Sequence, residues 1–448
     1  MQTSFTPAQL ADPKLKEAEQ ILRKCVHCGF CLATCPTYVE LGNELDSPRG
    51  RIYLIKDMLE NNKPASAKVA LHIDRCLSCL ACVTTCPSGV DYMHLIDQAR
   101  VRVERTYRRP IGDRLMRWLL AKVLPRRRRF RLALRFSFLL RPFAALIGRR
   151  GQFGRRLMAM RALSPQRLPR RTRQLPGRVY SPEGPPQARV ALLTGCAQAV
   201  LDPGINAATI RLLNRFGVEV VLAEGEGCCG ALVHHLGREK EGLAYARQNI
   251  KAWIRAHRKK PLDAILITAS GCGTTIKDYA HMLRLDPVYA KPAARISALA
   301  MDLTEFLSTR DILPPEQGKD IVVAYHSPCS MQHGQGIVLE PKLLLRRAGF
   351  TVVDIPEGHL CCGSAGTYNI LQPEIAARLA ARKAANIESV APDLIATGNI
   401  GCITQIAAVT EIPILHTVEL LDWAYGGLWP EGIEEVEDHG ERTAVAEE

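Results

Sequence analysis

The 448-residue sequence has no apolar run long enough to form a membrane-spanning helix. The best candidate, residues 136–147, contains Arg141 and Pro142 and is shorter than the roughly 18–20 apolar residues that a bilayer requires. Residues 1–22 are polar and lack the apolar core of a secretory signal. We therefore expect a cytoplasmic protein, with at most peripheral contact to the cytoplasmic face of the inner membrane.

Common catalytic and nucleotide-binding motifs are missing as well. Residues 334–336, Gly-Gln-Gly, lack the third glycine and the acidic residue of a dinucleotide fingerprint. The sequence also has no His-Glu-x-x-His motif and no recognisable Ser-His-Asp pattern. The chain by itself is therefore not expected to oxidise a substrate.

Sixteen cysteines are the main feature that is present, and eight of them form two identical runs. Each run reads Cys-x-x-Cys-x-x-Cys-x-x-x-Cys-Pro, the spacing of bacterial ferredoxins with two [4Fe–4S] clusters. In that pattern three thiolates hold one cluster, and the cysteine before proline turns away to ligate the other. We assign Cys25, Cys28, Cys31 and Cys86 to cluster 1, and Cys76, Cys79, Cys82 and Cys35 to cluster 2.

Zinc and disulfides are the alternatives for these eight cysteines. Zinc sites use pairs of ligands rather than two runs of four, and disulfides are uncommon in a reducing compartment. Apolar residues between the ligands should shield the clusters from water: Val26, Phe30, Leu77 and Leu80. His27 is expected to pack or to form a hydrogen bond rather than to ligate iron.

The other eight cysteines belong to two copies of one pattern, in residues 188–313 and 320–430. Each copy has a strand-like run before a cysteine, then a Cys-Cys-Gly triplet, and later a Gly-Cys pair after another strand. Equivalent cysteines are offset by 133, 133 and 130 residues, which indicates an internal repeat. Possible metal sites are Cys196, Cys228, Cys229 and Cys272 in the first copy, and Cys329, Cys361, Cys362 and Cys402 in the second.

A purely structural role for these cysteines is the alternative to a metal site. Three histidines near the second copy, His326, His333 and His359, could donate hydrogen bonds to sulfur or relay protons. Ordinary packing or surface roles are the favoured interpretation for them.

The predicted fold is a multidomain α+β and α/β chain. A helical two-cluster ferredoxin-like domain (1–100) precedes a basic helical segment and linker (101–187), two tandem α/β cysteine-rich repeats (188–313 and 320–430), and an acidic, disordered tail (431–448). Strands alternate with helices in the repeats, which predicts parallel sheets with the cysteines at the carboxyl ends of the strands.

The basic segment concentrates the positive charge of the chain. Residues 100–178 contain 24 arginines and one lysine against one glutamate and one aspartate, a net charge of +23, whereas the whole chain carries +14. A partner subunit or an anionic membrane is the favoured contact, and a solvated face is the alternative. No nucleic-acid partner is expected, because no recognition motif is visible.

Four stretches carry a resemblance to known families: CVHCGFC at 25–31, LDSPRGRIYLIK at 45–56, ASGCG at 269–273 and HLCCGSAGTY at 359–368. The Cys-Cys-Gly repeats resemble the cysteine-rich domains of heterodisulfide reductase. Most of the chain, residues 25–429, resembles the iron–sulfur subunits of bacterial glycolate oxidase.

The resemblance implies one subunit of a complex that oxidises glycolate to glyoxylate. FAD would belong to a partner oxidase subunit, and this chain would pass its electrons to a downstream acceptor such as quinone. Similar subunits serve lactate and glycerol-3-phosphate oxidation, and a thiol/disulfide reductase is a further alternative. Against the latter, the heterodisulfide reductase repeat has a fifth cysteine where Thr275 and Gln405 stand here. A four-ligand cluster, a partly occupied site and no metal all stay open for the repeats.

Overall fold

The computed structural model describes residues 1–139, 151–165, 167–169, 174, 176–315 and 320–430. The predicted acidic tail lies outside the described residues, as do residues 140–150 of the basic segment. Among the described helices, none is both long enough and apolar enough to cross a membrane.

Helices form the N-terminal domain, and proline begins several of them. The helices are α1 (Pro7–Leu10), α2 (Pro13–Lys24), α3 (Pro36–Leu41), α4 (Pro48–Glu60), α5 (Ala67–Asp74), α6 (Ala81–Thr84) and α7 (Tyr92–Thr106), with a 3₁₀ turn at Glu44–Asp46. Proline suits the first turn because its missing N–H has no helical partner there. Pro36, which follows the last cysteine of the first run, thus begins α3. The domain core contains Leu22, Ile55, Ile73 and Leu95, each fully buried.

The basic segment contains α8 (Ile111–Val123), α9 (Arg127–Leu139) and α10 (Gly151–Ala162). The inner face of α8 packs Met116 and Leu120 against apolar side chains of both repeats, including Val233 and Leu371. Part of the positive charge is also internal. Buried ion pairs join Arg109 and Arg117 to Asp74 and Asp113, and Arg156 to Asp113.

The first repeat contains a five-stranded sheet in the order β1-β3-β2-β4-β5. The strands are β1 (Val179–Tyr180), β2 (Ala188–Leu192), β3 (Val218–Val221), β4 (Ala264–Ile267) and β5 (Ala300–Asp302), and all pair in parallel except β1 with β3. The helices are α11 (Gln198–Leu201), α12 (Gly204–Arg215), α13 (Ala231–His235), α14 (Glu239–Lys259), α15 (Ser270–Lys277), α16 (Tyr279–Met282), α17 (Ala290–Leu299) and α18 (Leu303–Ser308). Strands β3 and β4 are buried along their whole length, as expected where helices cover both faces of a parallel sheet.

The second repeat contains a four-stranded parallel sheet in the order β7-β6-β8-β9. The strands are β6 (Val322–Tyr325), β7 (Thr351–Asp354), β8 (Leu394–Thr397) and β9 (Ile414–His416). The helices are α19 (Cys329–Gln332), α20 (Glu340–Arg347), α21 (Tyr368–Leu371), α22 (Pro373–Glu388), α23 (Ile400–Ile406) and α24 (Thr417–Ala424). One apolar core extends through both repeats and includes Val190, Leu192, Val323 and Leu421. The two sheets agree with the predicted α/β character of the repeats.

Candidate metal centres

The cysteines predicted for cluster 1 line one cavity at the surface of the N-terminal domain. These are Cys25, Cys28, Cys31 and Cys86, and Cys82 of the other set also reaches this cavity. The loop that follows α2 is held from α4, because Arg49 Nη1 donates to the His27 carbonyl at 3.1 Å. Cys28 is exposed. Val26 and Phe30 line the cavity and are 66% and 64% exposed, so this set lies at the protein surface.

The cysteines predicted for cluster 2 line a second, deeper cavity: Cys35, Cys76, Cys79 and Cys82. All four are buried, and Leu77 and Leu80 beside them are buried as well. Burial raises the pKa of Cys79 and of Cys82 well above the usual value for a thiol. A thiol whose pKa is raised in this way stays protonated at neutral pH unless a bound cation compensates the thiolate charge. Four buried thiols around one small space therefore fit a metal cluster.

Hydrogen bonds and one buried cation surround the second cysteine set. Thr37 Oγ1 lies 3.3 Å from Cys35 Sγ, and Arg51 Nη1 donates to the same sulfur at 3.8 Å. The Ser78 N–H and the Tyr92 hydroxyl donate to Cys76 Sγ at 3.5 and 3.8 Å. Arg51 is 1% exposed. Sequence reasoning missed the role of Arg51, although it lies within the 45–56 stretch that carries the family resemblance.

The Cys-Cys-Gly triplets bring together the cysteines of each repeat. In the first repeat, Cys229 Sγ lies 3.1 Å from Cys272 Sγ. The hydrogen bond that the Cys196 thiol donates to Cys228, together with burial, raises the pKa of Cys196. In the second repeat, Cys329 Sγ lies 3.7 Å from Cys361 Sγ. Ligand atoms of Cys362, Cys402 and His326 all lie within 4.8 Å of one another.

Glycine is required after each cysteine pair for a steric reason. Gly230 and Gly363 have φ values of 93° and 90°, a left-handed conformation that side chains rarely adopt. A Cβ at these positions would lie 2.9 Å from the Gly242 carbonyl oxygen and 2.7 Å from the Ala376 carbonyl oxygen. The triplet can therefore turn tightly against α14 or α22 and direct its thiols inward.

The three histidines near the second repeat have different environments. His326 is 2% exposed and lies among the thiols, and burial together with Lys383 lowers its pKa to about 3. His333 lies between two domains, with Nδ1 2.8 Å from Thr84 Oγ1. His359 is exposed. Of the three, His326 is therefore the one that the structure brings to the cysteines.

A buried lysine near the second set was missed by sequence reasoning. Lys383 is 2% exposed, and its Nζ donates to the Glu357 carbonyl at 2.9 Å. It lies on the buried face of α22, four residues from Leu379 and from Ile387. The sequence does contain a signal for this burial: apolar residues stand four positions before and four positions after Lys383. An amphipathic helix normally has no charged residue on its apolar face.

The cysteine sets of both repeats open into one cavity of about 500 Å³. Residues 76–78 of the N-terminal domain line it as well, and α8, α9 and α10 supply much of its apolar wall. Beside this cavity, Cys79 and Leu77 pack in one apolar cluster with Cys361 and Tyr368. The second cysteine set of the N-terminal domain thus adjoins the thiols of the second repeat.

The comparisons with known families agree with this arrangement. A 4Fe-4S dicluster domain model matches residues 21–90, and a cysteine-rich domain model matches residues 190–277 and 323–407. The class is therefore an iron–sulfur protein in which a dicluster domain precedes two cysteine-rich domains.

Relatives give the particular family. The chain is 43% identical over 424 residues to the glycolate oxidase iron-sulfur subunit of Escherichia coli, covering 95% of this chain and 99% of the relative. It is 32% identical to the probable glycolate oxidase iron-sulfur subunit of Bacillus subtilis, covering 90% of this chain and 94% of that one. The chain belongs to the family of glycolate oxidase iron–sulfur subunits. A crystal structure of a hypothetical protein from Helicobacter pylori shares the fold at 9% identity, with a TM-score of 0.54 over 93% of this chain and 73% of that one.

Proposed function

We propose that this chain is the electron-transfer subunit of a flavin-linked glycolate oxidase complex and that FAD resides in a partner subunit. The observation that carries the proposal is the convergence of eight cysteines on two neighbouring cavities in a chain of this family. Bound [4Fe–4S] clusters supply reversible one-electron transfer. The two cysteine sets would hold these clusters, and the buried Leu77 and Leu80 would shield the inner cluster from water.

The order of the cysteine sets defines a path for electrons through the chain. The set with Cys28 lies at the surface, the set with Cys79 is buried, and Cys82 lines both cavities. Beyond Cys79, the contact with Cys361 continues toward the 500 Å³ cavity. Electrons from the flavin subunit would therefore enter at the exposed set and leave on the side of the repeats.

The entry surface is the loop that carries Val26 and Phe30. Both side chains are apolar and largely exposed, and they border the cavity of the exposed cysteine set. An apolar patch beside a redox centre fits the docking of a partner subunit, because contact excludes water and shortens the distance for electron transfer.

The direct test is anaerobic reconstitution of this chain with the FAD subunit, followed by visible and EPR spectra after addition of substrate. Glycolate should reduce the clusters when the FAD subunit is present and should leave them oxidised when it is absent. Lactate and glycerol 3-phosphate, tested in parallel, should reduce them more slowly. Faster reduction by either competitor would assign the complex to that substrate instead.

A docking variant tests the proposed entry surface. Phe30→Glu should slow reduction by glycolate at least tenfold by weakening the complex, while the iron content stays unchanged. Leu285→Glu is a matched control, because Leu285 is also largely exposed, at 53%, but lies in the first repeat. Equal slowing by both variants would contradict docking at the Phe30 loop.

Peripheral contact with an anionic membrane is the second part of the proposal. Helices α8 and α9 each expose apolar side chains, namely Ile111, Leu115, Trp118, Leu119, Leu132 and Phe136. Exposed arginines flank them, including Arg114, Arg128, Arg129 and Arg135. Such a combination favours binding at the interface of an anionic bilayer, where each cation near the surface contributes about 1 kcal/mol.

Flotation with liposomes tests the membrane contact. Because Trp118 is exposed on α8, its fluorescence also reports whether this helix enters the lipid interface. The holoprotein should float with vesicles that contain anionic lipid and should remain in solution with purely zwitterionic vesicles. Trp118→Glu should reduce flotation severalfold, and Leu285→Glu should not. Flotation that is absent at low salt would exclude the membrane contact while leaving the electron-transfer role intact.

A further inference from the structure

The two cysteine-rich repeats differ at one position beside the thiols. His326 follows β6 directly, and its backbone N–H donates to the Ala396 carbonyl at 2.9 Å. In the first repeat, the N–H of Leu193 donates to the Leu266 carbonyl at 3.0 Å, in the equivalent position between two strands. Both residues lie three positions before a cysteine, Cys329 or Cys196. The second repeat therefore has an imidazole where the first has an aliphatic side chain.

The imidazole of His326 is buried without a hydrogen-bond partner. Its exposed fraction is 2%, and neither Nδ1 nor Nε2 has a partner among the residues that the structure describes. Leaving a buried polar group unsatisfied costs about 1–3 kcal/mol. One of its nitrogens lies within 4.8 Å of both Cys362 Sγ and Cys402 Sγ. A metal ion between these atoms would satisfy the nitrogen and both sulfurs at once.

A second difference between the repeats concerns charge. Lys383 of α22 and Asn249 of α14 occupy equivalent positions, each seven residues beyond the helix residue that the triplet glycine contacts. Asn249 Nδ2 donates to the Cys228 carbonyl at 2.9 Å, whereas Lys383 places a buried ammonium near the thiols of the second repeat. A buried cation favours several thiolates at one site, because it offsets their mutual repulsion.

We propose that His326 is a ligand, together with Cys329, Cys361, Cys362 and Cys402, of an iron–sulfur cluster in the second repeat. Five donors exceed the four that a tetrahedral zinc ion takes, whereas a cluster of several irons can use all five. Imidazole in place of thiolate also raises the reduction potential of iron–sulfur centres. The second repeat thus holds a mixed thiolate–imidazole centre, and the first repeat offers thiols without an imidazole at that position.

The experiment uses the full-length holoprotein, purified without oxygen and enriched in ⁵⁷Fe. Mössbauer spectroscopy detects both diamagnetic and paramagnetic iron. The part of the spectrum that is lost in Cys362→Ser is assigned to iron bound in the second repeat. The wild type should contain more than the about eight irons of two [4Fe–4S] clusters. His326→Gln should alter or abolish the subspectrum assigned to the second repeat. His359→Gln is the matched control, because His359 is exposed on the same loop as Cys361, and it should leave that subspectrum unchanged.

His326→Cys provides a variant that restores a ligand. It should retain the iron of the wild type and should lower the midpoint potential of this centre, because an anionic thiolate replaces a neutral imidazole. The proposal would be overturned if Cys362→Ser loses no iron, if zinc replaces iron, or if His326→Gln has the wild-type subspectrum at full iron content. Reduction of the two ferredoxin-like clusters by glycolate is measured on the same samples, so a failure of the proposed function is distinguished from a failure of this ligand assignment.

Discussion

Arg51 should raise the reduction potential of the inner cluster, and Arg51→Gln should lower it. The guanidinium is buried and donates to Cys35 Sγ at 3.8 Å, to Thr37 Oγ1 at 3.0 Å and to the His72 carbonyl at 2.7 Å. Reduction adds one negative charge to a cluster, and a positive charge close by stabilises the reduced form. Hydrogen bonds to ligand sulfur act in the same direction.

The magnitude follows from the geometry. At an effective dielectric constant of about 20, a unit charge ~6 Å from the added electron contributes roughly 3 kcal/mol. Asp46, fully buried and 3.7 Å from Arg51, offsets part of this, although Asp46 also pairs with Arg75 at 2.8 Å. A remaining effect of about 1–2 kcal/mol corresponds to about 40–90 mV for one electron.

Potentiometric titration of the anaerobic holoprotein, followed by EPR, measures this shift. One of the two clusters should move to a lower potential by about 40–90 mV in Arg51→Gln, and less in Arg51→Lys, which keeps the charge. Arg49→Gln is the control: Arg49 pairs with Glu44 near the exposed set and is 30% exposed, so solvent screening should limit its effect. Unchanged potentials in Arg51→Gln at full iron content, or a rise, would refute the reasoning.

Three further predictions concern stability. Gly363→Ala should lower the free energy of unfolding by about 2–4 kcal/mol, because the added methyl would lie 2.7 Å from a backbone oxygen of α22 at a φ of 90°. Gly336→Ala, at a φ of 73° and with no atom of the described residues within 4 Å of the added methyl, should lose about 1 kcal/mol. Equal losses for the two variants in chemical denaturation would contradict the steric argument. Burial lowers the pKa of His94, but hydrogen bonds to Asp278 and Asp91 raise it overall to about 10. His94→Gln should therefore cost about 2 kcal/mol near neutral pH, and the difference in Tm from wild type should shrink as pH rises from about 6.5 through 10; a growing difference would exclude this ion pair as the cause. Chelation of the iron should expose residues 1–100 to proteolysis before the two sheets, and simultaneous digestion of both would be the contrary result.

Local patterns made much of the fold predictable. The apolar runs at β2 and β4 recur as β6 and β8 at offsets of 133 and 130 residues, so two α/β units could be predicted from the sequence. The cysteine spacing likewise predicts which thiols converge in the N-terminal domain, because Cys-x-x-Cys-x-x-Cys wraps around a single site. Each strand run and each cysteine run is itself a pattern of a few neighbouring residues.

Contacts between distant parts of the chain could not be predicted in the same way. The packing of Cys79 against Cys361 joins residues almost 300 positions apart, and nothing in either local pattern encodes it. The same holds for His326, because the sequence places His333 and His359 near the same cysteines and does not separate the three histidines. His326 differs from the other two histidines because it follows β6, next to the Cys402 that α23 carries after β8. Its imidazole therefore has thiols as neighbours and no hydrogen-bond partner among the described residues.

The basic segment shows why composition alone could not decide its role. A net charge of +23 was compatible with a partner subunit, an anionic membrane or a solvated face. In the described helices, the arginines divide between a buried face and an exposed one. Arg109 and Arg117 are buried against Asp74 and Asp113, where they tie the segment to the N-terminal domain. On the same helix α8, Leu120 faces inward toward the repeats and Trp118 faces solvent. Helices α8 and α9 line the cysteine cavity on one side and expose apolar and basic side chains on the other. A membrane contact through these helices would therefore lie close to the proposed exit of electrons.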